Sequence, residues 1–235
     1  MKRKAMKEKA MNAGRIVGNA SVKDRRPIRA RENRLVRATA AWLVRVGMRP
    51  NQVSILSVAF SGLSAGCLLL TANSRPSWAI ALFIAAAAFI PFRGLCNLCD
   101  GLMAVEGGLK TKSGAIFNDL PDRVSDPLLL VAAGYSITWA SWAREFGWAA
   151  GLLAVMTAYV RALGGSAGAS QQFCGPMDKS PRMVVMMAAC LLTAIELALG
   201  WIPRAMILGL GVIVIGCAIT VVRRTLRIAE ELESR

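Results

Sequence analysis

Two pairs of oxygen-bearing side chains stand out in the middle of the chain because of their spacing. Asn97 and Asp100 are three residues apart, and Asn118 and Asp122 are four residues apart, so each pair projects from one face of a helix. The segment 97–126 also holds five of the fourteen acidic residues. Two such faces, opposed across a connection that contains glycine, could surround a hard divalent cation with oxygen ligands. The spacing therefore predicts a metal site between two helix ends.

The composition indicates that the helices carrying these pairs cross a membrane. Hydrophobic residues make up 55% of the 235 residues, yet Lys and Arg outnumber Asp and Glu by 29 to 14. Since a bilayer span needs about 20 mostly apolar residues, stretches with at most one charge predict an all-α polytopic protein with six transmembrane helices. The candidate stretches are Pro50 to Ser74, Pro76 to Phe92, Pro127 to Ala143, Phe146 to Val160, Met183 to Pro203 and Ala205 to Val222.

The third of these helices should begin before its apolar stretch. We expect it to run from near Ser113 to about Ala140, which at about 1.5 Å per residue exceeds the hydrocarbon thickness of about 30 Å. Its first turns would then lie in a polar zone. Pro121 removes a backbone hydrogen bond beside Asp122, which predicts either a plain kink or a freed carbonyl that binds a ligand.

The distribution of positive charge predicts the orientation. Six spans leave only three of the 29 Lys and Arg residues on one side, at Arg75, Arg144 and Arg204. By the positive-inside rule the other side is cytoplasmic, with both termini inside, and we expect the membrane to be the bacterial inner (plasma) membrane. Anionic headgroups explain the basic excess more simply than nucleic acid does, so membrane lipids are the expected partners and nucleic acid is not.

The chain divides into four predicted parts. Residues 1–26 are basic without an apolar core, which favours a cytoplasmic tail over a signal peptide. Residues 27–47 predict an amphipathic interfacial helix, the alternative being a basic lead-in with no defined helix. Residues 48–228 form the six-helix transmembrane domain, and residues 229–235 form a cytoplasmic C-terminal tail. The apolar stripe of the interfacial helix consists of Leu35, Trp42, Leu43 and Val46.

The chain contains six cysteines and no histidine, which narrows the possible chemistry. Cys96 and Cys99 form a C-x-x-C pair, but no second pair follows at zinc-ligand spacing, so zinc is not expected. Hydrolases with an imidazole base and haem sites with a histidine ligand are disfavoured for the same reason. Acid, base and metal chemistry must therefore rest on carboxylates, amides, Lys or Arg.

Basic residues at the cytoplasmic helix ends could bind an anionic substrate. Arg161 ends the fourth span, and Lys179 and Arg182 lie in the next cytoplasmic segment, so the three could converge on phosphate. Positive-inside bias explains any one of them equally well. Together, on the same aqueous side as Asp100, they favour an anionic substrate.

The residues from Asn97 to Asp122 also resemble a known motif. The pattern Asn97-x2-Asp100-Gly101-x2-Ala104-Val105-x8-Gly114-x3-Asn118-x3-Asp122 reproduces, without insertion or deletion, the spacing D-x2-DG-x2-AR-x8-G-x3-D-x3-D of the CDP-alcohol phosphotransferase (CDP-alcohol phosphatidyltransferase) family. Six spans, a basic interfacial helix and the Pro50-Asn51 pair are similar to that family too. The resemblance covers nearly the whole chain from about residue 28.

The resemblance implies an enzyme of phospholipid biosynthesis that transfers a phosphatidyl-type group from a CDP-activated lipid to an alcohol and releases CMP. It implies Mg²⁺ or Mn²⁺, one or two ions, and Asp122 as the candidate general base. The implied metal ligands are Asn97, Asp100, Asn118 and Asp122. The implied substrate-binding residues are Gly101, Ala104, Gly114, Arg123, Arg161, Lys179 and Arg182. The expected partners are a CDP-linked lipid and a second copy of the chain, in a homodimer.

Three motif positions depart from the family pattern. Asn97 and Asn118 stand where the family has aspartates, and Val105 stands where it has an arginine. Each asparagine removes one formal negative charge, which weakens the case for a two-metal cluster. One Mg²⁺ can still be held by few carboxylates when substrate phosphates and water complete its shell.

Neighbouring residues could compensate for these departures. Asp119, Asp126 or Glu106 could supply a carboxylate, although Asp119 lies about 100° around the helix from Asn118 and is expected to point elsewhere. Arg123 could take the place of the missing arginine, or it could form an ion pair with Asp119 or Asp126.

Two other functions stay open on the sequence alone. One is a non-catalytic lipid- or nucleotide-binding membrane protein with this fold, and the other is a transferase that uses a different activated phospholipid. A transporter is disfavoured, because the polar residues cluster at one membrane face instead of lining a path through the midplane.

Overall fold

The described part of the chain, residues 33–105 and 114–234 of a computed structural model, consists of seven α-helices and contains no strand. The side chains of Val105, Ala115 and Asn118 are not described, and the predicted tail 1–26 and Glu106 lie outside the described residues. The helices are α1 (Arg34–Arg45), α2 (Pro50–Thr71), α3 (Pro76–Val105), α4 (Gly114–Tyr135), α5 (Ala143–Ser166), α6 (Lys179–Ala198) and α7 (Ala205–Glu233).

Within the described ranges, five helices are long and apolar enough to cross a membrane, namely α2, α3, α5, α6 and α7. The predicted all-α polytopic fold is therefore confirmed. α4 does not belong to this group, since its first half carries charged residues that include Asp119, Asp122 and Asp126. The sixth crossing stays a prediction. α7 continues through most of the predicted C-terminal tail, to Glu233.

The six long helices form a closed ring. α2 packs against both α3 and α4. On the far side of α4 the packing order is α5, α7 and then α6, and α6 packs against α3, which closes the ring. Buried apolar residues fill the ring, among them Leu68, Phe83, Leu130 and Met186. α3 and α4 make few direct backbone approaches to each other, so the space between them is bridged by long side chains. This space contains the candidate site.

α4 begins at Gly114, next to the predicted start, but it ends at Tyr135, earlier than the predicted Ala140. The Ser136 hydroxyl donates to the Ala133 carbonyl at 2.7 Å, and such side-chain bonds compete with helix continuation. The helix is continuous through Pro121 and Pro127.

Short connections join the helices at one end of the ring. The Trp139 indole donates to the Pro203 carbonyl at 3.0 Å, and a small cavity there is lined by Thr71, Ser136 and Pro203. The links that follow α2, α4 and α6 therefore meet at one end. That arrangement agrees with the two-sided topology from which the orientation was predicted.

α1 forms inside the predicted range 27–47, and it has two apolar faces. Val36, Ala40 and Leu43 are buried against the end of α3, where the Cys99 thiol lies 3.8 Å from the Val36 carbonyl. Of the predicted stripe only Leu43 takes part in this contact, whereas Leu35, Trp42 and Val46 are exposed. The predicted stripe combined residues of two neighbouring faces of the helix. The face that packs against α3 is the one that contains Val36, Ala40 and Leu43.

Candidate active site

A cavity of about 550 Å³ lies between α3, α4, α5 and α6, at the end of the ring that carries the motif. Its wall has a polar and an apolar part. The charged lining residues are Arg93, Asp119, Asp122, Arg123, Arg161, Asp178, Lys179, Arg182 and Arg224. The apolar lining residues include Ile90, Leu95, Leu98, Met183, Val184 and Met187. Because basic residues outnumber acidic ones on this wall, the cavity suits an amphiphilic ligand with an anionic group.

The sequence-predicted residues divide between the cavity wall and its surroundings. The wall includes Asn97, Asp122, Arg123, Arg161, Lys179 and Arg182. Asp100 and the three predicted small residues, Gly101, Ala104 and Gly114, are not among its lining residues. The backbone of Asn118 belongs to α4, one turn before Asp122. The structure thus brings the predicted basic residues to Asp122, and it leaves the small residues at the ends of α3 and α4.

Side chains from two neighbouring helices, α3 and α6, contact the Asp122 carboxylate. Lys179 at the start of α6 contacts both of its carboxylate oxygens, at 2.6 and 2.5 Å. Arg93 of α3 lies 3.1 Å from Oδ1, and the Asn97 amide donates to the same oxygen at 3.4 Å. Asp122 therefore sits where cations and a polar amide converge at the cavity wall.

Asp126, one turn further along α4, has a different environment. Its two oxygens form buried ion pairs with Arg93 and with Arg182 of α6, and Asp126 is only 2% exposed. A buried charge is costly unless it is paired, and here both carboxylate oxygens are paired. Asp126 therefore ties α3, α4 and α6 together and does not offer a free oxygen as a compensating metal ligand.

Asp100 is buried where α3 meets α2, and it does not line the cavity. Ser54 of α2 donates to its Oδ2 at 2.6 Å, while Oδ1 is buried without a hydrogen-bond partner in the described part of the chain. A buried carboxylate oxygen that lacks a partner is available to a cation or to a donor group.

These contacts decide how well the site fits a divalent metal. No group of three Asp, Glu, His or Cys side chains that could hold a metal occurs within residues 33–105 and 114–234. The side-chain oxygens near the cavity that could bind a metal belong to Asn97, Asp100 and Asp122. Among these, Oδ1 of Asp100 has no hydrogen-bond partner in the described residues. This set fits one hard ion whose shell is completed by water and substrate oxygens, and it does not form a complete protein cage.

Asp119 connects the basic residues of the opposite wall. Both of its oxygens lie 3.1 Å from Arg161, and Arg123 is 3.2 Å from Oδ2. The predicted ion pair of Arg123 with Asp119 forms, and Arg123 also lines the cavity, where binding of a phosphate stays a prediction. Asp119 lines the cavity, but its oxygens contact Arg161 and Arg123 and none of the predicted metal ligands whose side chains are described. Arg161 also lies over the Phe173 ring, 5.3 Å from its centre.

Three residues of this site were not found from the sequence. Arg93 had a local signal that the sequence analysis did not use, since it lies one turn before Asn97 on the same helix face. Ser54 and Arg224 had none, because their partners are distant in sequence. Arg224 donates to the Thr157 carbonyl at 2.6 Å and the Cys174 carbonyl at 2.9 Å, and it lies 3.4 Å from Asp178.

No protein-family model matches the chain. It is similar to phosphatidylinositol phosphate synthases of Corynebacterium glutamicum (27% identity over 195 residues, 81% of this chain and 82% of the relative) and Streptomyces avermitilis (24% over 215 residues, 86% and 81%). The fold resembles that of Mycobacterium tuberculosis phosphatidylinositol phosphate synthase. Its structure with CDP-DAG bound gives a TM-score of 0.67 at 22% identity, covering 83% of this chain and 94% of that one. Its complex with manganese and citrate gives 0.67 at 22% identity, covering 83% and 88%.

Proposed function

We propose that the chain is a member of the CDP-alcohol phosphatidyltransferase family, and that it transfers a phosphatidyl-type group from a CDP-linked lipid to an alcohol and releases CMP. The observation that carries this proposal is the position of Asp122. This motif carboxylate lies on the wall of a cavity that is basic on one part and apolar on the other. It is an integral membrane enzyme of phospholipid synthesis.

The two parts of the cavity suit the two parts of the donor. The pyrophosphate binds beside Lys179 and Arg161, where an ammonium group and a guanidinium fork can contact its oxygens. The lipid portion lies along apolar side chains of α3 and α6 such as Leu98 and Val184. A CDP-linked lipid is anionic at one end and apolar at the other, as the cavity requires.

The chemistry assigned to the protein is positioning and proton transfer. The acceptor oxygen forms a bond to the lipid-linked phosphorus, the bond from that phosphorus to the CMP oxygen breaks, and Asp122 takes the acceptor proton. For this, the Asp122 oxygens must exchange their contact with Lys179 for the acceptor hydroxyl. Asn97, Asp100 and Asp122 would hold a divalent ion, Mg²⁺ or Mn²⁺, and that ion would neutralise charge on the pyrophosphate.

A phosphorylated polyol is the acceptor class that we assign. Both named relatives are phosphatidylinositol phosphate synthases. The cavity of this chain has six basic and three acidic lining residues, an excess that favours an acceptor with its own phosphate. Inositol phosphate should therefore be used in preference to unphosphorylated inositol, and a reversed preference would contradict this assignment.

The membrane, the orientation and the oligomeric state are also part of this proposal. We place it in the bacterial inner membrane with the cavity and both termini on the cytoplasmic side, in contact with anionic lipids. The homodimer stays a prediction, which mass measurement in a lipid nanodisc would check.

CMP release from purified protein tests the proposal. With CDP-DAG, Mn²⁺ and a panel of polyol phosphates, we expect turnover that Asp122→Asn lowers by about 10²–10⁴-fold. Glu145→Gln is the matched control, because it also replaces a carboxylate by an amide but lies exposed at the start of α5. Full activity of Asp122→Asn would exclude the assigned base. Binding of CDP-DAG without CMP release from any acceptor would favour the non-catalytic alternative.

A further inference from the structure

Arg93 lies just before the motif and adds a cation beside its carboxylates. It lies one turn before Asn97 on α3 and is 1% exposed. Its guanidinium contacts Oδ1 of Asp122 at 3.1 Å and also pairs with Asp126. The Asn97 amide approaches the same Asp122 oxygen. A permanent positive charge is thus built into the protein beside the motif carboxylate.

The charges of the ion-paired side chains around Asp122 and Asp126, taken together with Asp100, balance without any ligand. Asp100, Asp122 and Asp126 contribute three negative charges, and Arg93, Lys179 and Arg182 contribute three positive ones. The family pattern would add two more carboxylates, at positions 97 and 118, where this chain has neutral amides. In the family pattern, the two negative charges of those carboxylates offset the charge of a second divalent ion. This chain lacks them.

The charge of the CDP-linked donor matches one divalent ion. A pyrophosphate that links two alcohols has two ionised oxygens, so a single divalent ion balances it without changing the net charge of this cluster. A second divalent ion would leave two positive charges uncompensated among largely buried side chains, which is costly. Arg93 already lies against the Asp122 oxygen that such an ion would need.

We propose that this site binds one divalent ion instead of two, and that the Arg93 guanidinium supplies the second positive centre beside Asp122. The inference rests on the proposed function, because it concerns the charge of a CDP-linked donor. Arg93 acts as a positioning residue through Asp122.

The stoichiometry of Mn²⁺ in the unmodified protein is the first test. Full-length protein in detergent with CDP-DAG is titrated with Mn²⁺, and free Mn²⁺ is followed by electron paramagnetic resonance against a CDP-DAG blank without protein. We expect one bound Mn²⁺ per chain and no spectrum of a spin-coupled pair. Two bound ions per chain, a coupled spectrum, or no bound ion would each overturn the proposal.

Variants test the part assigned to Arg93. In an Asn97→Asp/Asn118→Asp background, adding Arg93→Met should strengthen binding of a second Mn²⁺ by at least about tenfold and produce the coupled spectrum. Adding Arg123→Met to the same background is the matched control, since Arg123 lines the cavity but pairs with Asp119. Equal binding of the second ion with and without Arg93 would contradict its role. Size-exclusion profiles identify variants that fail to fold, and the count for the unmodified protein stands without them.

CMP release measured in parallel distinguishes the two proposals. One bound Mn²⁺ without CMP release would overturn the proposed function and leave the single-ion site intact. CMP release with two bound Mn²⁺ ions would do the reverse.

Discussion

Two aspartates one turn apart on α4 have distinct environments. Asp126 is enclosed by two arginines, whereas Asp122 faces the cavity and is paired with Lys179, whose side chain is 28% exposed. A fully buried pair is held permanently, while a partner at the cavity wall can be exchanged for a ligand. We therefore assign Asp126 to the stability of the helix assembly and Asp122 to chemistry.

The Asp126 ion pairs should dominate local stability. Arg182→Met leaves Asp126 buried with Arg93 as its only ion-pair partner, and breaking a buried pair costs roughly 3–5 kcal/mol. The midpoint of thermal unfolding in detergent should fall accordingly. The double variant Arg182→Met/Asp126→Leu should recover much of this loss, because it removes the buried carboxylate oxygen that has lost its partner. An unchanged midpoint in the single variant would show that the pair is not important for stability.

The hydrogen bond from Ser54 should orient Asp100 as a metal ligand. Ser54→Ala removes it, and loss of such a supporting contact typically weakens metal binding by about 10–100-fold. Ser57→Ala is the matched control, because the Ser57 hydroxyl is equally buried but donates to the Ser54 carbonyl of its own helix. Mn²⁺ affinity measured by electron paramagnetic resonance checks the difference. Equal Mn²⁺ affinities in the two variants would show that Ser54 does not support metal binding by Asp100.

Residue spacing predicted a large part of the candidate site. Asp122, Arg161 and Lys179 were expected near one another, and they line one cavity. Ser54 could not be predicted, because its partner Asp100 is 46 residues away and a serine within an apolar helix has no pattern of its own. Local spacing reports a helix face, and it does not report which helix that face meets.

Among the helices, the crossing of α4 and α5 depends on two glycines. A Cβ on Gly134 would lie 2.6 Å from the Ala143 carbonyl oxygen and 2.9 Å from the Gly147 Cα. Both contacts are with backbone, which cannot rotate away. The crossing positions the two helices that carry Asp122 and Arg161, so the cavity depends on this close approach.

Gly134→Ala should therefore separate α4 from α5. We expect a loss of roughly 1–3 kcal/mol in the free energy of unfolding, as for other overpacked contacts. Gly66→Ala in α2 is the control, since a Cβ there meets nothing within 4 Å and alanine has the higher helix propensity. Thermal unfolding in detergent compares the two. A Gly134→Ala protein as stable as the control would show that the helices can separate without cost.

The helices were predicted with unequal success. Long apolar stretches located α2, α6 and the membrane part of α7 well, because burial in lipid demands an uninterrupted run. α4 was the most difficult, since its polar first half belongs to the site and its end depends on the local bond of Ser136. Hydropathy describes contact with lipid, and it carries no information on a helix that faces a polar cavity.

For the whole molecule, the closed ring separates two ends. The motif cavity lies at one end, and the three short connections meet at the other. The same division places Arg75, Arg144 and Arg204 opposite the cavity.

Reporter fusions check this orientation. A fluorescent protein that matures only in the cytoplasm, fused after Arg235, should be bright, and alkaline phosphatase inserted at Arg75 or Arg204 should be active. The positive-inside rule is the reason for both expectations. Alkaline phosphatase activity from the C-terminal fusion would invert the topology and move the cavity to the outer face.

The packing of α1 has a consequence for the level at which the reaction takes place. α1 is fastened to α3 through Val36 and Cys99, next to Asp100, while Leu35 and Trp42 extend from its exposed side. In the proposed orientation we expect these side chains to lie among lipid headgroups, so that the contact of α1 with α3 sets the depth of Asp100 in the membrane. A donor held at that depth keeps its acyl chains in the bilayer while its pyrophosphate reaches the protein. The enzyme then takes its lipid in place, without lifting it out of the leaflet.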